Sequence, residues 1–207
     1  MQLSFELGLE GDLPLNLGEK EGVFLNKLPD DYVIIDIETT GFSAVYDSII
    51  EISALKIVSG EIEGQFSSLV KPNKKISSFI SNLTGITQEM VNNAPDKKEV
   101  LKNFCNFLEF YPIVGHNVKF DLGFINNNLK EIYNKTLVNN FSDTLYFARK
   151  IYKDLPSHKL SEIAKHLNFD TKGAHRALFD CFLTFRIIHN MKYRLLQLIQ
   201  NDLKSLE

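Results

Sequence analysis

The run Tyr32-Val33-Ile34-Ile35-Asp36-Ile37 constrains this chain more than any other stretch. It is short, β-branched and almost wholly apolar, the pattern of a central strand buried on both faces. Residues 49–58 read as a second strand, and Ser59-Gly60 as a turn into a third that ends near Val70. Three consecutive strands on short turns make an antiparallel meander. The pattern then changes period. Val100, Leu101, Phe104 and Leu108 mark a helical stripe, with Asp96 and Glu99 spaced for a capping box before it. Pro112-Ile113-Val114-Gly115 is a short apolar strand. A helix is expected from near Asp121, with Leu122, Ile125, Leu129 and Ile132 on one face, and another strand near 138–144. Leu160, Ile163, Ala164 and Leu167 keep helical spacing behind Ser157, the expected N-cap. A final helix carries Leu178, Cys181, Phe182, Phe185 and Ile188. The expected fold is α/β: a mixed sheet with an antiparallel three-strand start, then parallel βα units, flanked by helices.

A length of 207 residues with 44% hydrophobic content suits one compact domain with a short appendage. Residues 1–30 read as that appendage, because Gly8, Gly11, Gly18, Gly22 and Pro14 interrupt any helical period. Partial disorder or loose docking is expected there, and residues 31–207 are expected to form the main domain. The two cysteines, Cys105 and Cys181, sit among apolar residues in expected helices and read as buried thiols of a reducing cytoplasm. No apolar run reaches the roughly 20 residues needed to cross a bilayer, and the acidic start lacks a basic secretory n-region. The expectation is a cytoplasmic protein without membrane contact.

The net charge of −3 is unevenly spread. Residues 1–31 hold seven acids against Lys20 and Lys27, which leaves +2 for residues 32–207. Between 149 and 176 stand Arg149, Lys150, Lys153, Lys159, Lys165, Lys172 and Arg176 against Asp154, Glu162 and Asp170, a local +4. Such a segment can hold a phosphate backbone, although on charge alone solvated helix faces are the favoured account.

Asp36 and Glu38 are two apart on the first strand, so they share a face about 6.5–7 Å apart along it. Two carboxylates closing a buried apolar strand are costly unless a cation satisfies them. Mg²⁺ or Mn²⁺ would do so with hard oxygen ligands, and one acid of the pair could bridge two ions about 3.5–4 Å apart. A solvated strand end explains this pair alone equally well. Gly41 either permits a turn or lets backbone approach a ligand. Asp121 lies where a strand gives way to a helix, a favoured place for ligands, although helix capping is the simpler account of it taken alone. His175 and Asp180 are five apart, which on one helix leaves them roughly 140° out of alignment. To serve one site, His175 must precede the helix and Asp180 must sit on its first turns. A histidine so placed titrates near neutrality and can take a proton from water. His158, His166 and His189 lack such companions and read as surface or packing residues. No phosphate-cradling glycine loop, nucleophile elbow or paired CxxC motif is present.

Together, VIIDIETTGF (33–42), GHNVKFD (115–121) and HRALFD (175–180) resemble, in order and spacing, the three exonuclease motifs of the DEDDh family. This is the family of the proofreading epsilon subunit of bacterial DNA polymerase III and of polymerase-associated exonuclease domains. LTGIT (83–87), SDTL (142–145) and SHKLSEIAKHL (157–167) resemble further family blocks, and the likeness covers about residues 31–195. The resemblance implies a ribonuclease H-like fold and a 3′-to-5′ exonuclease that uses two divalent ions, Mg²⁺ or Mn²⁺. It implies that Asp36, Glu38 and Asp180 hold one ion, that Asp36 also holds the second, and that Asp121 acts partly through ordered water. His175 would activate the attacking water. Thr39, Thr40, Gly41 and Phe42 would lie beside the terminal nucleotide, with Phe42 the candidate for stacking on its base, and His116 and Asn117 would support the second motif.

The implied substrate is single-stranded DNA or a frayed 3′ end, in proofreading or repair. Relatives similar to ribonuclease T and oligoribonuclease trim RNA; the Thr39-Thr40 pair resembles the DNA branch. A reading of another class is a non-catalytic module bound to a polymerase, which predicts loss of a catalytic residue type; all five are present. A DNA polymerase subunit is a further expected partner. Gln2-Leu3-Ser4-Phe5 loosely resembles the sliding-clamp motif of replication proteins but lacks its second leucine, and a tail with chance apolar residues is the preferred account.

Overall fold

The apolar run at 32–37 forms the middle of a five-stranded sheet. The computed structural model describes residues 13–204. In chain order these form β1 (Leu17–Gly18), β2 (Tyr32–Thr39), β3 (Ile49–Val58), β4 (Glu61–Leu69), α1 (Ser78–Thr84), α2 (Gln88–Asn92) and α3 (Lys97–Leu108). They continue with β5 (Ile113–Gly115), α4 (Val118–Tyr133), β6 (Thr136–Leu137), β7 (Phe141–Asp143), α5 (Thr144–Ile151), α6 (Leu160–His166) and α7 (Ala177–Lys204). The sheet order is β4-β3-β2-β5-β7. β2, β3 and β4 pair antiparallel, and β5 and β7 add in parallel, which is the mixed sheet expected.

Side chains alternate across β2, so its two faces bury against different helices. Val33, Ile35 and Ile37 join Phe104, Leu122 and Ile125 of α3 and α4. Tyr32 and Ile34 join Leu55, Ile57, Cys181 and Ile188, on the side of α7. Asp36 continues the row of Ile34 and therefore points to the α7 face. Both cysteines are buried and free. No helix among the described residues is long and apolar enough to cross a membrane.

Several local expectations shift. α4 begins at Val118, three residues earlier than expected, because Asn117 takes a left-handed conformation (φ 67°) that starts the helix directly after β5. Lys159, not Ser157, occupies the N-cap of α6; the Ser157 hydroxyl accepts from the Lys159 N–H, two residues too early to cap. The expected strand at 138–144 shortens to β7, and β6 forms just before it. α1, α2 and α5 are five to eight residues long, too short to establish a period in sequence. Their caps are nevertheless regular: Ser77 and Thr87 each accept from the N–H three residues on. Asp96 caps α3 by accepting from Glu99 N–H, as expected.

Residues 13–30 dock on the rest of the domain. β1 pairs antiparallel with β6, Leu25 N–H donates to the Phe141 carbonyl, and Phe24 bridges β7 and meets Tyr146 edge-on at 5.2 Å. Asn16 is 1% exposed and donates to the Cys105 carbonyl. Gly22, one of the residues that suggested disorder, permits this contact: a Cβ there would sit 1.8 Å from the Asn139 carbonyl oxygen. At Gly22 the missing side chain serves close backbone contact in a strap, and periodicity does not report that.

Candidate active site

Burial of β2 on both faces brings its carboxyl end out between α7 and α4. Asp36 and Glu38 sit there on the α7 side. α7 begins at Ala177, so Asp180 lies in its first turn and His175 in the loop before it, the arrangement the rotation argument requires. Asp36, Glu38 and Asp180 each offer an oxygen, and these atoms all lie within 4.8 Å of one another. Asp121 comes from α4 on the opposite side of β2. It is 5% exposed, and its Oδ1 accepts from the Ile37 N–H at 3.1 Å. It stands outside the tight trio, bonded to the peptide between two of its members.

Like charge gathered in so little solvent shifts every acid upward. Asp36 is pushed well above the usual carboxylate range, by burial first and then by Asp121, Asp180, Glu38 and Glu51. Burial, followed by Asp180 and Glu51, pushes Glu38 to about 8, against a small downward pull from Arg176. Burial takes Asp121 to about 8, opposed by backbone hydrogen bonds that include Ile37 N–H. Asp180 rises to about 6, by burial, with the His175 N–H and the His175 charge drawing it back. Four acids that resist ionising together make a donor set of hard oxygens suited to divalent cations.

His175 is exposed, adopts φ 66°, and donates its backbone N–H to Asp180 Oδ2 at 3.2 Å. A non-glycine residue in this conformation stores about 1 kcal/mol or more, and the hydrogen bond to Asp180 helps hold it. His175 and Asp180 line a cleft of 940 Å³ together with Phe42, His116 and Asn117. Arg149 and Lys159, from the basic segment, line the same cleft.

The remaining candidates divide. Phe42 is 85% exposed at this cleft. The Thr39 hydroxyl donates to the Gly41 carbonyl, and the Thr40 hydroxyl donates to Asp47 and accepts from Ser48 N–H. Both threonine side chains thus shape the loop that carries Phe42. Gly41 is needed there because a Cβ would lie 2.4 Å from the Asp47 carboxylate. His116 Nε2 donates to the His158 carbonyl at 2.7 Å and its Nδ1 meets the Thr144 hydroxyl at 2.9 Å, so both ring nitrogens brace the cleft wall. Burial, above other causes, lowers its pKa. Asn117 N–H donates to Asp143.

Two groups escaped sequence reasoning. Asp47 organises the 40–48 loop through Ser43 N–H, Thr40 and Lys74. Glu51 is 2% exposed on β3, directly across from Glu38, and binds Arg176. The signal for Glu51 was available: it is a lone acid in the apolar run Ile49-Ile50-Glu51-Ile52, and a buried charge demands a partner.

The profile of the exonuclease family, RNase T type, matches residues 33–188. The PolC-type DNA polymerase III of Clostridium perfringens is 46% identical over 159 residues, a stretch that covers 77% of this chain and 11% of that protein. The PolC-type DNA polymerase III of Oceanobacillus iheyensis is 40% identical over 172 residues, 83% of this chain and 12% of that protein. The chain thus spans about a tenth of the length of these relatives. Among solved structures, exonuclease X in complex with 5′ overhanging duplex DNA superimposes with a TM-score of 0.63 at 23% identity, over 77% of this chain and 90% of that one. Escherichia coli exonuclease I in complex with a dA16 oligonucleotide gives 0.70 at 19% identity, over 84% and 43%. These likenesses establish the fold as ribonuclease H-like.

Proposed function

Because this chain belongs to the exonuclease family, we propose that it hydrolyses the terminal phosphodiester at DNA 3′ ends, releasing 5′-mononucleotides in proofreading or repair. The observation that carries this reading is the trio Asp36, Glu38 and Asp180, with oxygens within 4.8 Å of one another and His175 hydrogen-bonded to Asp180 beside them. The donor set suits Mg²⁺ or Mn²⁺: hard oxygens only, and acids held in a state that a divalent charge would relieve. Asp36, Glu38 and Asp180 would hold two such ions, with Asp121 supporting from the Ile37 peptide. Bound, the ions would stabilise the negative charge that develops on the attacking and leaving oxygens.

The residues of the chain do the rest. The His175 imidazole, exposed at the cleft edge, takes the proton of the attacking water. Phe42 offers an exposed ring on which the terminal base stacks. Arg149 and Lys159 offer cations to the phosphates of the strand that fills the cleft. DNA is preferred as substrate because the named relatives are DNA polymerases. The same names support association with a polymerase and work in the bacterial cytoplasm. The clamp-motif likeness at Gln2-Leu3-Ser4-Phe5 lies outside the described residues.

The test is a time course on end-labelled single-stranded DNA and matched RNA, with Mg²⁺, with Mn²⁺ and with chelator. Metal-dependent release of mononucleotides from the 3′ end of DNA is expected, lost in a folded Asp36→Ala variant. Faster trimming of RNA would move the substrate to RNA. No release from either polymer, with binding retained, would leave a non-catalytic polymerase module. Full metal-dependent activity in Asp36→Ala would refute the site.

A further inference from the structure

A second, uncharged-in-sum layer lies behind the acid trio. Glu51 stands opposite Glu38 in the β2–β3 register, and like charges so paired repel. Glu51 is 2% exposed, and both its oxygens are taken. Arg176 Nη2 donates to Oε1 at 2.8 Å and Arg176 Nε to Oε2 at 3.2 Å, a forked pairing. The same Oε2 accepts the N–H of Ala177, the first residue of α7, at 3.0 Å. Arg176 O in turn accepts from Asp180 N–H, and Asp180 accepts from His175 N–H. One buried carboxylate on β3 therefore holds the origin of the helix that presents Asp180 and the loop that presents His175. It also holds Arg176 away from Glu38, whose charge that guanidinium still reaches.

We infer that Glu51 is a positioning residue of the active site: through Arg176 and the Ala177 amide it sets His175 and Asp180 against Asp36 and Glu38, and it keeps the Arg176 guanidinium from occupying the cation site. The inference rests on the nuclease reading. It yields a pattern that loss of stability alone does not produce. Removing the Glu51 charge frees Arg176 to pair with Glu38, so a divalent cation must compete with it. Removing Arg176 as well ends the competition, while the helix origin stays unanchored.

The experiment compares wild type, Glu51→Gln and the double variant E51Q/R176Q in the full chain. Mn²⁺ affinity is read by electron paramagnetic resonance without substrate, kcat and KM on single-stranded DNA, and Tm as a control. In Glu51→Gln, Mn²⁺ affinity and kcat are each expected to fall about 10-fold or more, with KM within about threefold of wild type. In the double variant Mn²⁺ affinity is expected to return to within about threefold of wild type while kcat stays low. A folded Glu51→Gln protein with wild-type Mn²⁺ affinity and kcat overturns the inference, as does a double variant that binds Mn²⁺ as weakly as the single one. Should the glutamine variants fail to fold, Arg176→Lys keeps the charge and loses the fork: reduced kcat at unchanged Tm supports the inference, and unchanged kcat overturns it. If the wild-type protein releases no nucleotide, the nuclease reading fails, and the Mn²⁺ comparison still decides the role of Glu51.

Discussion

The backbone N–H of His175 donates to Oδ2 of Asp180 at 3.2 Å, so the imidazole-bearing loop is tied to one of the three clustered acids. The loop that bears His175 and the first turn that bears Asp180 are thereby coupled. His175→Ala leaves this backbone bond available, and its side chain is exposed. The variant is expected to keep wild-type Tm and Mn²⁺ affinity while kcat falls about 10²–10⁴-fold, the scale of a lost general base. Single-turnover kinetics measure this; a fall of less than threefold would remove His175 from proton transfer.

Without cations, the acid cluster makes stability depend on pH in an unusual direction. Glu38 and Asp121 titrate at about 8 and Asp180 at about 6, each above its ordinary value near 4. Between those limits the folded protein binds more protons than the unfolded chain, so this contribution is complete below pH 4 and is lost as pH rises through 6 and 8. Melting in chelator should show Tm falling from pH 5.5 to 8.5. The fall should shrink in Glu38→Gln, and Mn²⁺ should raise Tm more at the alkaline end. A Tm that rises over this window in wild type but not in Glu38→Gln contradicts the assignment.

Phe42 is 85% exposed, so Phe42→Ala should leave Tm unchanged. Loss of base stacking should raise KM for single-stranded DNA by about fivefold to 100-fold. Gly41→Ala should reach a similar KM by another route. Its Cβ would meet the Asp47 carboxylate at 2.4 Å and displace the loop that carries Phe42. A wild-type KM in both variants would remove this ring from the substrate path.

Gly22→Ala tests the strap. Its Cβ would lie 1.8 Å from the Asn139 carbonyl and 2.8 Å from the Asn140 nitrogen, both backbone atoms that cannot swing aside. A loss of about 1–3 kcal/mol is expected by denaturant titration, in the range of overpacked sites. An unaltered midpoint would mean that residues 13–30 contribute little to the stability of the domain.

How far the sequence reached depended on the range of the interaction. Tyr32 to Ile37 declared a central strand because burial on both faces leaves no polar alternation, and 49–58 and 61–69 followed from their turn. The stripe on α3 and its Asp96 cap were local and legible. α1, α2 and α5 were not, since one or two turns show no period. The pairing of the strap at 13–30 was not legible because glycine looks the same whether it loosens a chain or lets two backbones touch.

The sequence by itself determined the residue types of the candidate site: four acids and a histidine at motif spacing, on a strand end, two helix starts and a loop. These are covalent facts of order and period. Only the tertiary structure decided that Asp36, Glu38 and Asp180 share one pocket of oxygens while Asp121 reaches in through the Ile37 peptide. It alone placed Glu51 behind them, 125 residues from the Arg176 that neutralises it. The reason is physical: desolvation and charge repulsion act through space, and only strand register and helix packing say which distant charges become neighbours.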